Sequence, residues 1–357
     1  MHIWRACEGC CKESGAFMIG VLGSNGHVGS LLANMLKTRG YELRLGSRST
    51  GFIVDVSNHE SLTKFLNGCS AVINCAGPAY LLSEPVARAA ISLGIGYLDV
   101  AGCEKLCKTL SSETVETPVV FSAGMVPGLS GLLLKLAILL NKDRSVVGFA
   151  GGVQDVSPGA AADLVLSMSD AAGYGNNGSV WCDGAVCELD HTPVRAPSCF
   201  PEGTSCRAFL SEEARNIAKN EAVPRLEWYN AFAGDLFLKA LVDAQLSKTR
   251  NLDEASKKIS LAASIDAVGK RPFYILAAIS GENAYIVRTT DSYELTAAVA
   301  CYAAERLLAG IIPNGVFNLP DLFEPESAVR EILSLSESSR IEITTSKSLF
   351  EVEEGEL

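Results

Sequence analysis

The sequence predicts an α/β protein: an N-terminal doubly wound parallel sheet, then a second α/β domain with a mixed or antiparallel sheet. Three observations predict it. Between Phe17 and Ser122, short apolar runs alternate with stretches whose apolar residues recur at helical spacing. A glycine-rich turn, Gly23-Ser24-Asn25-Gly26-His27-Val28-Gly29, separates the first run from the first such stretch. From about residue 145 to 290 the pattern changes, and strand-like runs are no longer each followed by a helix.

The first strand is read at Phe17 to Leu22. Val28, Leu31, Leu32, Met35 and Leu36 share one helical face between His27 and Arg39, and Gly40 supplies the stop. Strands follow at Glu42 to Leu45 and Phe52 to Val56. Ser57 or Asn58 can cap a helix that runs to about Leu66. Ala71 to Cys75 is a fourth strand. A helix is expected from Glu84 to Leu93, with Pro85 in its first turn, where no N–H is needed. A strand at Tyr97 to Val100, a helix around Glu104 to Leu110 and a strand at Val119 to Ser122 complete a βαβαβ-βαβαβ order. Right-handed crossovers fold that order into a parallel sheet with helices on both faces. Ligands then bind beyond the carboxyl ends of the strands, where the winding reverses.

Leu129 to Leu140 is a greasy run of twelve residues that contains Lys135. A membrane span needs about 20, so this is a buried helix leaving the first domain. Beyond it, strands are read at Val146 to Val153, Val180 to Glu188, Phe273 to Ile279 and Tyr285 to Arg288. Helices are read at Ala160 to Ser169, Ser211 to Asn220 and Leu236 to Leu246, with a last amphipathic one at 292–309. The expected organisation is a flexible extension at 1–16 and a first domain at 17–128, completed by a C-terminal helix within 291–325. A substrate-binding or dimerisation domain occupies 129–290, and an acidic segment 326–357. The last fifteen or so residues are Ser- and Glu-rich and are expected to fray.

Composition narrows the function. The 357 residues are 48% hydrophobic and 20% charged, enough for a large core and against global disorder. A formal net charge of -11 argues against a nucleic-acid partner, which calls for a basic surface. Residues 1–16 have no apolar signal core, so the expectation is a cytoplasmic protein that does not enter a membrane. Twelve cysteines then read as free thiols in a reducing compartment. Cys7, Cys10 and Cys11 have no second pair nearby, and Cys182, Cys187, Cys199 and Cys206 are irregularly spaced, so no metal site is expected.

The glycine turn has the context of a dinucleotide fingerprint, strand before and helix after, although its spacing is GxxGxxG. Gly23 permits the tight turn, Gly26 the approach of a pyrophosphate, and Gly29 close helix packing. Ser24, Asn25, His27 and Val28 bring backbone N–H groups and the positive end of the helix. This is a Rossmann domain in prospect. At the end of the second strand stand Ser47 and Arg48 rather than an acid. An acid there would hold a ribose 2′-OH; Ser47 and Arg48 suit a 2′-phosphate, so the expected cofactor is NADP(H). Asp55, with Val56 beside it, can accept a hydrogen bond from the adenine amine, or cap the next helix instead. Asn74, Cys75, Ala76, Gly77 and Pro78 end the fourth strand, where small residues let a nicotinamide ribose lie against the backbone, or simply form a turn.

Together, GSNGHVG at 23–29, GSR at 46–48, VINCAGP at 72–78, GIGYLDVAG at 94–102 and SAGMVPGLSG at 122–131 resemble the saccharopine dehydrogenase-like (saccharopine reductase-like) NADP-binding family. DSYELTAAVACYAAERLLAG at 291–310 fits as well. The resemblance spans most of 17–325, densely in the first domain and thinly from 150 to 270. It implies that Ala123, Gly124 and Met125 lie beside the nicotinamide. It also implies that Tyr97 and Asp99 stand near the hydride face, and that the helix from Ser292 returns to the first domain. Relatives often carry a Glu soon after the Asp-x-x-Gly of the fifth strand. Here Cys103 follows Gly102 directly and Glu104 comes one later, which puts an acidic role there in doubt. Members of the family reduce Schiff bases, or saturate C=C bonds as trans-acting enoyl reductases.

A catalytic acid is hard to find. Of four histidines, only His191 is placed to serve as one. No Tyr has a Lys four residues later. Those absences suit a protonated C=N, which already attracts hydride and needs orientation, dryness and an anion nearby. Asp99, Asp163 and Tyr174 are candidates to line such a pocket, or else a turn former, an exposed helix residue and a loop aromatic; Tyr97, placed by the resemblance, would with Tyr174 or Asp99 have to protonate carbon in an enoyl reduction. The sequence-based expectation is an NADPH-dependent reductase of an imine in a small or carrier-bound biosynthetic intermediate, assembled as a homodimer. A trans-acting enoyl reductase and a non-catalytic NADP(H) sensor are the alternatives.

Overall fold

The computed structural model describes residues 18–141, 145–167, 175–189, 194–247 and 251–350. The N-terminal extension, Tyr174, His191 and residues 351–357 lie outside the described residues.

The first sheet is laid down by β1 (Met18–Leu22), α1 (His27–Thr38), β2 (Glu42–Ser47), β3 (Phe52–Ile53), α2 (His59–Leu66), β4 (Ala71–Asn74), α3 (Ala79–Ser92), β5 (Gly96–Asp99), α4 (Glu104–Ser111) and β6 (Pro118–Phe121). α5 (Leu129–Leu139) leads out of it. Every residue of β4 and β5 is buried, because helices cover both faces; that is why these strands read as unbroken apolar runs rather than alternations.

Two expectations are corrected here. α3 begins at Ala79 rather than Glu84, which places Pro85 inside the helix. Leu81, four residues back, is exposed, so solvent can hydrate the carbonyl that Pro85 leaves unpaired. β3 stops at Ile53 rather than Val56, because Asp55 turns the chain by accepting from the Ser57 amide at 2.9 Å. Asn58, not Ser57, caps α2 through the Ser61 amide.

The second sheet is built from β7 (Val146–Val153), α6 (Pro158–Ser167), β8 (Gly175–Asn177), β9 (Ser179–Cys182), β10 (Ala185–Glu188), β11 (Ser205–Ser211), α7 (Glu212–Asn220), β12 (Arg225–Phe232), α8 (Asp235–Leu246), α9 (Leu252–Ala267), β13 (Phe273–Ser280) and β14 (Asn283–Thr289). The chain then runs through α10 (Ser292–Leu308), β15 (Gly315–Asn318), a 3-10 turn at Leu319–Asp321, α11 (Pro325–Ser334), β16 (Ser339–Thr345) and α12 (Ser346–Phe350). The strand expected at 180–188 is a hairpin, β9 and β10, turning at Asp183 (φ 47) and Gly184 (φ 88). An Asp-Gly pair adopts that left-handed turn readily.

The first sheet is wholly parallel, in the order β15-β6-β5-β4-β1-β2-β3. The second runs β10-β9-β12-β7-β13-β14-β16, with β11 on β12 and β8 on β11. Its β7–β12 pair is parallel and the rest antiparallel, so it is mixed. The last fifteen or so residues do not fray as far as they are described: β16 continues the second sheet to Thr345 and α12 follows it, while β15, earlier in the chain, extends the first sheet. α10 returns to the first domain and lies along α1. Its Ala297, Ala298, Ala300, Ala303 and Ala304 are buried, small enough for the helix to sit close. No described helix is long and apolar enough to cross a membrane.

Candidate active site

The parallel register fixes the site. Leu22 of β1 lies opposite Gly46 of β2 and Asn74 of β4, and Asn74 lies opposite Asp99 of β5. The four strands therefore end in one row, and the loops that follow share one edge of the sheet.

The glycines of the first loop differ in the space around them. Gly23 has φ +73, and a Cβ there would meet the Cys75 carbonyl at 2.7 Å. A Cβ on Gly29 would meet the Gly23 carbonyl oxygen at 2.3 Å, so the helix rests directly on the turn. A Cβ on Gly26 would meet only that oxygen, at 3.2 Å. The space in front of Gly26 is open. No side chain caps α1, and no acidic residue stands in its first turn. An open, uncapped helix N-terminus fits a pyrophosphate.

Ser24 and Asn25 serve the loop itself. Ser24 donates from its amide and its hydroxyl to the Gly46 carbonyl, both at 3.1 Å. Asn25 Nδ2 donates to Ser47 Oγ at 3.0 Å and to Thr50 Oγ1 at 2.5 Å. Ser47 is buried, and its hydroxyl accepts from the Thr50 amide at 2.9 Å and donates to the Thr50 carbonyl. Ser47 thus shapes the loop. Arg48 is exposed beside it, with no ion pair among the described residues, and is the group free to meet a 2′-phosphate. Asp55 is exposed at the same end, and Val56 tucks against the core.

At the fourth and fifth strands a closed polar network replaces the expected open acids. Asn74 Nδ2 donates to Asp99 Oδ2 at 3.1 Å, and Tyr97 donates its hydroxyl proton to the same oxygen. Asp99 Oδ1 accepts from the Ala101 amide at 2.9 Å. Asn74, Tyr97 and Asp99 are all 1% exposed or less. Burial pushes the Asp99 carboxyl up from its ordinary value and the Tyr97 hydroxyl well above its own. Burial also raises the Cys75 thiol. The network fixes the ends of β4 and β5 from behind. Asn74 Oδ1 also accepts from the Ala76 amide at 3.2 Å, shaping the turn that carries Gly77 and Pro78.

The loop after β6 is held in a similar way. Ala123 and Met125 are buried, and a Cβ on Gly124 would meet the Val100 carbonyl oxygen at 2.2 Å, so these residues offer backbone rather than side chains. Glu213 of α7 reaches across from the second domain. It accepts from the Gly128 amide at 2.6 Å and the Ser130 hydroxyl at 2.5 Å, at the start of α5. Burial raises its carboxyl to about 7. No spacing in the sequence marks Glu213, because its partners are 85 and 83 residues away.

Asp163 is the expected catalytic candidate that the structure brings to this edge from the second domain. It stands on α6, and its Oδ1 accepts from the Ala79 amide at 2.7 Å. Its Oδ2 is 3.3 Å from where a Gly77 Cβ would be. Burial, reinforced by the charge of Asp99, raises Asp163 to about 7, despite the opposing bond from Ala79. A second joint lies at the phosphate turn, where the His27 ring stacks on Tyr293 of α10 at 4.7 Å. The Tyr293 hydroxyl accepts from the Ser157 amide at 2.8 Å and donates to the Asp155 carbonyl at 3.1 Å. The glycine turn marks His27 for its backbone N–H alone, and no motif marks Tyr293, although it lies in the helix expected to return to the first domain. Cys182 and Cys187 lie on the β9–β10 hairpin, while Cys199 and Cys206 are buried in the second core; no metal-holding cluster occurs among the described residues.

Comparison with known proteins agrees with this geometry. Residues 19–118 match the family described as saccharopine dehydrogenase NADP binding domain. Among solved structures, the chain is similar to apo histidine-tagged saccharopine dehydrogenase (L-Glu forming) from Saccharomyces cerevisiae, at 14% identity and a TM-score of 0.63. That match covers 92% of this chain and 99% of that one, and shows a shared fold. Uronate dehydrogenase from Agrobacterium tumefaciens matches at 14% identity and a TM-score of 0.23, over 24% of this chain and 41% of that one. The protein lin1944 from Listeria innocua matches at 15% and 0.24, over 30% and 76%. No curated protein sequence matches. The family match identifies the cofactor as NADP(H). The chain thus carries, at 19–118, a segment that matches the saccharopine dehydrogenase NADP binding domain, and over its length it shares the fold of a saccharopine dehydrogenase.

Proposed function

We propose that this oxidoreductase reduces a C=N bond in a small or carrier-bound biosynthetic intermediate. The observation that carries the reading is Asp163, a carboxyl from the second domain set against the Gly77–Ala79 turn at the end of β4. Bound NADPH supplies a hydride to the carbon of the protonated imine, giving the secondary amine and NADP⁺. The Gly23–Gly29 turn and the α1 N-terminus hold the pyrophosphate, and Arg48 holds the 2′-phosphate. Asp163, once ionised, places a negative charge where an iminium cation binds, in a site of low dielectric where that charge acts strongly. Tyr97 and Asp99 orient the neighbouring turn and donate no proton to substrate, because neither reaches the surface. Their burial also removes two of the acids that an enoyl reduction would draw on.

An NADPH-consumption assay with matched imine, ketone and enoyl substrates, free and carrier-tethered, tests this. Turnover of imines alone is the expected outcome. Turnover confined to enoyl thioesters refutes the reading.

A further inference from the structure

α6 brings Asp163 to the cofactor edge, and its entry is fastened from outside its own domain. Ser157 caps α6: its hydroxyl accepts from the Ala160 amide at 3.2 Å and its carbonyl from the Ala161 amide at 2.8 Å. Asp163 follows on the second turn of the helix, about 9 Å along the axis from that cap. The segment leading into the cap is tied to the first turn of α10. The Ser292 amide donates to Gln154 Oε1 at 3.3 Å, and Gln154 Nε2 donates to Ser292 Oγ. The Tyr293 hydroxyl spans the rest, accepting from the Ser157 amide at 2.8 Å and donating to the Asp155 carbonyl at 3.1 Å.

Tyr293 is itself held at both ends. Its amide donates to the Asp291 carboxylate at 2.9 Å, in the cap of α10. Its ring lies on the His27 ring, with centroids 4.7 Å apart and planes inclined by 20°. His27 opens α1 within the phosphate turn. A phenylalanine would serve that stack equally well, whereas both hydroxyl bonds go to the segment entering α6. α6 packs mainly on α9, of its own domain. Two points hold it to the cofactor edge: its cap through Tyr293, and its second turn through Asp163 and the Ala79 amide.

We propose that Tyr293 is a positioning residue for Asp163: its hydroxyl fixes the entry of α6 relative to the phosphate turn and so seats the carboxyl on the Ala79 amide. Without that hydroxyl the helix follows α9, and a small tilt at the cap moves the carboxyl off its seat. A displacement of about 1 Å at a reacting centre can cost as much as a hundredfold in rate. The catalytic consequence rests on the reaction proposed above; the seating itself does not.

Amide hydrogen exchange on the full chain with NADPH bound tests the seating without substrate. Tyr293→Phe keeps the ring on His27 and removes both hydroxyl bonds. The Ala79 amide should then exchange about fivefold faster or more, approaching its rate in Asp163→Ala. The amides of β1 and β4 should keep the parent's rates, which reports that the variant is folded. In the imine assay, kcat of Tyr293→Phe should fall about tenfold with KM near the parent's. Adding Tyr293→Phe to Asp163→Asn should cost nothing more, because the two changes act through one carboxyl; a purely structural tyrosine gives losses that add. Parent-like exchange at Ala79 in Tyr293→Phe, or additive losses in the double variant, would overturn the proposal. Faster exchange at Ala79 in a protein that turns over no imine would refute the reaction and uphold the seating.

Discussion

The carboxylate of Asp163, in the second domain, accepts a hydrogen bond at 2.7 Å from the backbone amide of Ala79, in the first. Ala79 opens α3, and no side chain of its own domain caps that helix. The second domain therefore completes a helix of the first, at the sheet edge where the cofactor loops converge. The same carboxyl closes the joint and has its second oxygen beside Gly77, 3.3 Å from where a Cβ would stand.

On the proposed reaction, this joint should give the catalytic step a pH dependence. Burial raises Asp163 to about 7, so it is protonated below that pH and ionised above it. The ionised form is the one that stabilises an iminium. kcat/KM for an imine substrate should rise as pH passes through about 7, and Asp163→Asn should lose that limb while still binding NADPH. An unchanged profile in Asp163→Asn would remove Asp163 from the chemistry.

Arg48 is the residue proposed to set cofactor choice. A charge-assisted contact contributes about 1.5–3 kcal/mol, or roughly tenfold to a hundredfold in affinity. NADPH should bind at least about tenfold tighter than NADH, and Arg48→Ala should erase most of the difference. Fluorescence titration of both cofactors measures it; equal affinities in the parent would refute this assignment.

The two outer glycines and Gly26 should behave differently. Gly26→Val fills the open space before α1, so it should abolish NADPH binding in a protein that still folds. Gly29→Ala drives a methyl into the Gly23 carbonyl and should destabilise the fold itself. Circular dichroism melts alongside cofactor titration separate the two effects. Unaltered affinity in Gly26→Val would make that glycine purely structural.

The first domain was legible in the sequence because its signals are local. Gly23, Gly26 and Gly29 sit between a strand and a helix, and Arg48 follows a strand end that lacks an acid. Asp163 was legible as a candidate, but not its bond to Ala79, which joins residues 84 apart. Glu213 and Tyr293 were illegible for the same reason: each acts through tertiary contacts. β12 and β11 were missed because their partners come from distant segments. Tyr97 and Asp99 looked like pocket acids because a strand end marks a position along the sheet edge. Whether the side chain there turns inward depends on the helices that cover it.

Glu213 makes a prediction about stability. Its carboxyl is raised from 4.5 to about 7 in the folded state. The folded protein thus holds a proton that the unfolded chain releases. This contribution is full below about 4.5 and is lost as pH rises through about 7. Glu213→Gln should melt with less dependence on pH between 5 and 8 than the parent. Glu213→Ala, which strands the Gly128 amide, should cost about 1–3 kcal/mol. Parallel pH trends in the parent and Glu213→Gln would contradict the assignment.

The most direct test of the central claim is isotope transfer. NADPH carrying deuterium at the reactive carbon of the nicotinamide is incubated with the protein and an imine substrate, and the product is examined by mass spectrometry and NMR. The account predicts one deuterium on the former imine carbon, delivered to a single face. Deuterium found instead at the β-carbon of a saturated enoyl substrate, with imines left untouched, would contradict it.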